Sequence, residues 1–468
     1  MTFIDKAAAI LGDAQVLTGA ETAGYATDWT GKFVSTPLCV LRPGSAKEVS
    51  ALLKAAVETR TPIVPVGGNT GLSGGTVADG AALLSLERMN RIRAIRDDAR
   101  VAVVEAGVVL AKLHDAVQAR GLNFPLTFGA RGSAMIGGVL STNAGGSNVL
   151  RYGNTRALCL GLEVVLPDGA VMDLMNELHK DNTGYDLKDL FIGAEGTLGI
   201  ITRAVVKLVQ RPRAYATALV AMPGLGPALA LLNRLQLESG GGVEAFEFMP
   251  AVYAARLAQH RPDLAFPFPA DTPATILVEV GATAPALCTA EADGTLPLTR
   301  MLEEALAEAI EAGQATDALV AQNEAQRAGF WARREAAAEI TLTERPIVDT
   351  DIAVPLDNVE TFLDRMEGRL AGIDPAARIN IVAHLGDGNV HYTAYPGRDD
   401  PALSDAIRRA VDEVATELGG SFSAEHGVGL SKKGSMERLK DPVALEMMRA
   451  VKAAFDPMNR MNPGKLLP

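Results

Sequence analysis

Cysteine is scarce: the 468 residues include only three, Cys39, Cys159 and Cys288, far apart and with no CxxC pair. That excludes a disulfide scaffold and a thiolate metal site, and it suits a reducing compartment, so a cytoplasmic location is expected. Aromatic residues make up 5% of the chain, and 44 basic side chains face 56 acidic ones, for a net charge of −12. Nucleic-acid binding needs a clustered basic face or a row of stacking aromatics, so both shortages argue against it and against docking on an anionic membrane. Long apolar runs are missing too. A long uncharged stretch, residues 215–232, contains Pro223-Gly224 and Gly226-Pro227 and reads as a strand, a turn and a helix start, so no transmembrane segment is expected. Met1 to Lys6 show no charged segment leading into an apolar one, so no secretory signal is expected either.

What the chain has in excess is glycine. It holds 46, about 10% of its residues against an average near 7%, and much of the surplus is clustered before residue 200. Histidine is rare, with six in all, yet His384, His391 and His426 fall close together late in the chain. An apolar share of 48% is ample core for roughly three domain-sized units.

After a short helical N-terminus, residues 38–41 read as a strand. Ser45-Ala46-Lys47-Glu48 is a capping box that opens a helix with Val49, Leu52, Leu53 and Ala56 on one face. Strands are predicted at 63–66, 82–86, 101–105, 162–166 and 200–208, with a helix over 110–120. Beyond Arg211-Pro212-Arg213 the glycine clusters stop. Strand 218–221, helix 228–237, strands 243–248 and 276–280 and helix 299–312 then predict a β-α-β-β-α-β unit, an antiparallel sheet covered by helices. The chain reads as α+β, with a first domain over 1–212, a second over 213–435, and a C-terminal segment, 436–468, returning to the first.

The strand at 63–66, ending in Pro65 and Val66, runs into Gly67-Gly68-Asn69-Thr70-Gly71-Leu72-Ser73-Gly74-Gly75. Residues without a Cβ let successive N–H groups turn inward as an anion nest and let a pyrophosphate approach the main chain. No Lys-Ser/Thr closes the loop, and Glu87 follows it without an intervening helix, so neither a Walker loop nor a Rossmann turn fits. A single such loop could serve turn geometry alone. A second cluster, Gly129 to Gly138 with Thr142-Asn143-Ala144-Gly145-Gly146, favours a ligand with two phosphates and an extended end, and Glu195 to Ile201 offers a third wall. These segments resemble the FAD-binding domain of the vanillyl-alcohol oxidase (p-cresol methylhydroxylase) superfamily. The resemblance implies non-covalent FAD, since the first loop has no histidine or cysteine, with the C-terminal tail returning to the flavin. It implies contacts from Pro65, Val66, Gly67, Gly68, Asn69, Thr70, Gly71, Gly74 and Gly75. Pro125, Thr127, Gly132, Ser133, Gly137, Gly138, Thr142, Asn143 and Gly145 would follow, with Glu195, Gly199, Ile200, Ile201 and Asn462.

The alternating run Ile379, Ile381, Ala383 leads into His384-Leu385-Gly386-Asp387-Gly388-Asn389-Val390-His391. Gly-Asp-Gly-Asn is turn chemistry, so the two histidines should sit on adjacent strand ends and could share one cation. Either histidine alone is more often a hydrogen-bonded structural residue. With Glu425 they would form a His₂Glu set, and His426 could stand beside it as a base. His384 to His391, Ala424 to Gly429, and Lys180 to Leu187 together resemble the FAD-linked D-2-hydroxyacid dehydrogenases over nearly the whole chain. The resemblance implies a ferredoxin-like cap domain, a divalent metal (zinc leading) on His384, His391 and Glu425, His426 as base, and Arg334 clamping the substrate carboxylate. It further implies oxidation of a D-lactate-like or D-2-hydroxyglutarate-like acid. Electrons would pass to a separate acceptor, such as an electron-transfer flavoprotein, a quinone or a cytochrome, and the enzyme could be a homodimer. Where the D-2-hydroxyglutarate branch has threonine, lysine and asparagine for the far end of the substrate, this chain has Ala338, Asp349 and Thr393.

Two other readings compete: a flavin oxidase that uses oxygen, and a metal-dependent hydrolase whose glycine loop is only structural. Colour separates the hydrolase from the rest. The purified protein should be yellow, or turn yellow on adding FAD; a colourless folded preparation that takes up no FAD would favour the hydrolase.

Overall fold

The computed structural model describes all 468 residues, in two compact units. The first comprises Met1–Gly145, Gly153–Gln210 and Glu425–Pro468; the second comprises Gly146–Tyr152 and Arg211–Ala424. No helix is long and apolar enough to cross a membrane.

In the first unit a four-stranded sheet runs in the order Val16–Leu17, Cys39–Leu41, Ala82–Ser85, Ile63–Val66, the last three parallel. Helix Ala46–Thr59 links two of these strands. Ser45 caps it by accepting from the Glu48 amide at 3.2 Å, Val49, Leu52, Leu53 and Ala56 are buried, and Arg60 ends it in the left-handed region. An antiparallel five-stranded sheet runs Ile92–Arg96, Val101–Glu105, Ile200–Lys207, Cys159–Val165, Val171–Leu174. Its two edge strands are half exposed and carry charges, so they lack the apolar run by which a buried strand is recognised in sequence.

The second unit is built on a seven-stranded antiparallel sheet in the order Asp317–Val320, Ala214–Met222, Ala274–Ala282, Val243–Pro250, Arg378–His384, Asn389–Tyr395, Val348–Ala353. The first four strands and helices Ala228–Glu238 and Pro297–Glu311 form the expected β-α-β-β-α-β unit. The last three strands extend the same sheet, and helices Val359–Ile373 and Pro401–Glu417 extend its cover. One face is almost wholly apolar, with Val220, Phe246, Ile276, Val278, Ala383, Val390 and Tyr392 packed on these four helices. The other face has a smaller apolar patch, Leu219, Leu277, Met249 and Val382, covered by Tyr253 and Leu257 of helix Ala251–His260 and by Phe330 and Ile340. Because both faces are covered, the central strands lose the alternation of a half-exposed sheet and read as nearly continuous apolar runs.

Phe362 is fully buried on the apolar face, edge-on to Tyr392 with ring centroids 5.9 Å apart. Phe362→Ala should therefore lower stability by about 3–5 kcal/mol in denaturant unfolding. A loss below about 1 kcal/mol would show that Phe362 does not help to fix that face.

Candidate active site

Across one face of a doubly covered sheet, polar side chains need partners, because burying them unpaired is costly. On the polar face of the second unit they form a connected set. Glu247 is fully buried and is the register partner of His384. Its Oε1 lies 2.8 Å from His384 Nδ1, and its Oε2 accepts from Arg334 Nε at 2.8 Å. Burial works hardest against its ionisation, but the charges of His384 and Arg334 outweigh it and hold the carboxyl below its usual range.

Helix Glu324–Glu335 places Arg334 over this carboxylate. Asn323 caps that helix by accepting from the Gln326 amide, and the Arg327 guanidinium and Trp331 indole N–H anchor it on Glu279, also buried in the sheet. Arg334 is buried and its Nη2 has no partner in the protein, so the guanidinium keeps a donor for an incoming acceptor.

The Gly386–Gly388 turn closes a hairpin in which His384 pairs with Asn389 and His391 with Val382. Cross-strand partners share a face, so both imidazoles lie on the polar face, with ring centroids 5.4 Å apart. Gly388 has φ +80°, and a Cβ there would lie 2.1 Å from the Val354 carbonyl oxygen, so this turn requires glycine. On the neighbouring strand Asp351 is the register partner of His391, and Asp349 that of Thr393, whose hydroxyl donates to Asp349 at 2.9 Å. Asn389 Nδ2 donates to Asp351 Oδ1 at 2.9 Å. Two imidazoles and a buried carboxylate on one face suit a divalent cation, and the Glu247 contact on Nδ1 fixes the orientation of the His384 ring.

The Ala424 amide donates to the Asp351 carbonyl at 3.2 Å, and Glu425 and His426 follow as the start of the first unit's last stretch. His426 Nε2 lies 3.5 Å from Glu425 Oε1. The Ser73 hydroxyl donates to the His426 carbonyl at 3.1 Å. The Glu195 carboxylate accepts from the Val428 and Gly429 amides at 2.7 and 2.8 Å, which fixes the backbone just past His426. Burial pushes the Glu195 carboxyl up, and those two amides oppose the shift.

In the glycine loops, two kinds of glycine separate. A Cβ on Gly68 would lie 1.9 Å from the Ser133 carbonyl oxygen, on Gly137 2.8 Å from Ala106, and on Gly199 2.9 Å from Val164, so these are required by the protein's own packing. Gly71, Gly132 and Gly138 face open space. No amide from Gly67 to Leu72 donates to a backbone carbonyl, which leaves a row of N–H groups for an anion. This arrangement fits a pyrophosphate. Ile200 and Ile201 are buried in the five-stranded sheet, and the Asn143 side chain accepts from the Arg156 amide at 2.9 Å. Asn462 reaches back to the loop, donating to the carbonyls of Gly75 at 3.0 Å and Glu195 at 2.7 Å.

Residues 37–175 match the family described as "FAD binding domain", and residues 211–466 match "FAD linked oxidases, C-terminal domain". The chain belongs to the FAD-linked oxidases. Among solved structures it resembles p-cresol methylhydroxylase with substrate bound (TM-score 0.74, 16% identity, 99% of this chain and 96% of that one). It also resembles alkyldihydroxyacetonephosphate synthase (TM-score 0.73, 17% identity, 99% and 86%). Within the family it is one of the FAD-linked D-2-hydroxyacid dehydrogenases, whose reaction is FAD-dependent oxidation of a 2-hydroxy acid. It is 34% identical over 475 residues to D-2-hydroxyglutarate dehydrogenase of Stutzerimonas stutzeri, covering 99% of this chain and 98% of the relative. To the mitochondrial D-2-hydroxyglutarate dehydrogenase of Bos taurus it is 36% identical over 443 residues, covering 94% and 79%.

The division of glycines yields a test. Gly71→Val should leave stability of the flavin-free protein within about 0.5 kcal/mol yet weaken FAD binding at least tenfold in a flavin-fluorescence titration. Unchanged FAD affinity would place the pyrophosphate away from Gly71.

Proposed function

We propose that the chain oxidises a D-2-hydroxy acid to its 2-oxo acid with the help of a divalent cation, and passes the electrons to a separate acceptor. The observation that carries this reading is the Glu247 bridge: one buried carboxylate holds both the arginine that would grip the substrate carboxylate and an imidazole that would hold the cation. Arg334 would receive the α-carboxylate on its unpartnered Nη2. His384, His391 and Glu425 would hold the cation, with Asp351, in register with His391, as a further carboxylate beside them. Two imidazoles and a carboxylate suit zinc. FAD, when bound, takes up the two electrons of the oxidation, and the cation polarises the substrate hydroxyl. His426 would accept the hydroxyl proton; the Ser73 hydroxyl and the Glu195-bound amides keep its backbone in place, so the base does not have to be ordered at each turnover.

These roles predict separable losses. His426→Ala should retain flavin and metal and lose most dye-linked turnover with D-2-hydroxy acids. His384→Ala should lose bound metal by elemental analysis, and chelation of the wild type should abolish turnover without releasing flavin. Unchanged metal content in His384→Ala would remove that residue from the ligand set.

A further inference from the structure

The last stretch of the first unit encloses a cleft that none of the roles above uses. Its volume is about 400 Å³, and it lies between helix Pro442–Phe455, the turn at Lys433 and the tail from Gly464 to Pro468. Lys433, Arg449, Lys452 and Lys465 line it, with Asp456 as the one acidic side chain. Even with the terminal carboxylate at Pro468 counted, positive charge is in excess. A protein with a net charge of −12 thus keeps a basic cavity of a size that holds a small molecule.

The four cations differ in what they already hold. Lys452 is spent on structure: its ammonium donates to Asp456 Oδ2 at 2.6 Å and to the carbonyls of Thr197 and Met461 at 2.8 and 2.9 Å. Asp456 is buried and spent in turn, since the same Oδ2 accepts from the Met461 amide at 2.7 Å. Lys465 donates to the carbonyls of Val77 and Pro463 at 2.7 and 3.3 Å and touches no carboxylate. Burial pushes its ammonium down most; the charge of Lys433 adds to this, and that of Asp79 opposes it. The side chains of Lys433 and Arg449 make neither an ion pair nor a hydrogen bond. Ala453, Pro457 and Leu467 complete the lining, so an apolar wall stands among three cations that no acid in the cleft compensates. That combination suits a small organic anion of two or more charges.

The same lysines tie the tail to the flavin segments. Thr197 belongs to the 195–201 wall, Val77 lies just past the glycine loop, and Asn462, on the tail between the two lysines, donates to the Gly75 carbonyl. An anion set among Lys433, Arg449 and Lys465 would relieve their mutual repulsion and hold the tail, with Asn462, against the loop.

We propose that this cleft binds a small organic polyanion, a polycarboxylate or a phosphate ester, and that filling it tightens FAD binding on the glycine loop. The coupling concerns the cofactor and does not depend on which acid is oxidised. Its test is serial dilution of the holoenzyme with free flavin read by fluorescence, in chloride, tricarballylate or glycerol 3-phosphate at one pH and ionic strength. At least one of the two organic anions should tighten FAD binding about fivefold or more over chloride, and the one that acts tells a carboxylate site from a phosphate site. The double variant Lys433→Ala/Arg449→Ala should match the wild type in chloride and lose the gain. Arg449→Lys, which keeps the charge, should retain most of it. If neither anion tightens FAD binding, or if the double variant shows the same gain, the inference is overturned.

Discussion

A carboxylate with no access to water, Glu247, underlies the second unit's site. Alone in an apolar sheet it would be among the least favourable groups in the fold, and so would the Arg334 guanidinium above it. Together they are mutually required, and His384 completes the set by taking the second oxygen. The two cationic or potentially cationic groups would otherwise repel one another at short range. One anion between them lets an arginine and an imidazole stand side by side with their outer nitrogens directed away. The helix carrying Arg334 is held by the same device a few residues earlier, where Glu279 receives Arg327 and Trp331. Two buried acids thus tie a helix to a sheet across a face where hydrophobic packing is thin.

In the first unit the corresponding constraint is backbone against backbone. Gly68 on Ser133, Gly107 on Leu86 and Gly429 on Ser73 are all approaches near 2 Å from a virtual Cβ to a carbonyl oxygen. They bring separate loops close enough for amides and carbonyls to define a surface. The glycines that face open space then lie on a scaffold that others have made rigid.

The sequence was most informative where turn chemistry and apolar periodicity coincide. The Gly-Asp-Gly-Asn hairpin puts His384 and His391 on one face, and the β-α-β-β-α-β unit follows from apolar runs of ordinary length. The edge strands at 92–96 and 171–174 were not legible, since their charged, half-exposed residues resemble loop. Glu247 and Glu279 were missed for a different reason. Each is a polar residue inside a largely apolar strand, and its meaning depends on a partner far along the chain: 87 residues separate Glu247 from Arg334. The available signal was a charge at an inward position of an otherwise apolar strand, as in Ala245-Phe246-Glu247-Phe248. The partners of the Glu195 carboxylate were equally out of reach of the sequence, since the Val428 and Gly429 amides lie more than 230 residues further along.

The tether from Asn462 to the glycine loop spans 387 residues, from Gly75 to a side chain in the last few positions. The loop is therefore synthesised well before the segment that completes it. A ribosome-bound nascent chain can display every glycine of the nest while its anchor is still untranslated. The glycine nest therefore takes its final form only once an anchor far along the chain has been made.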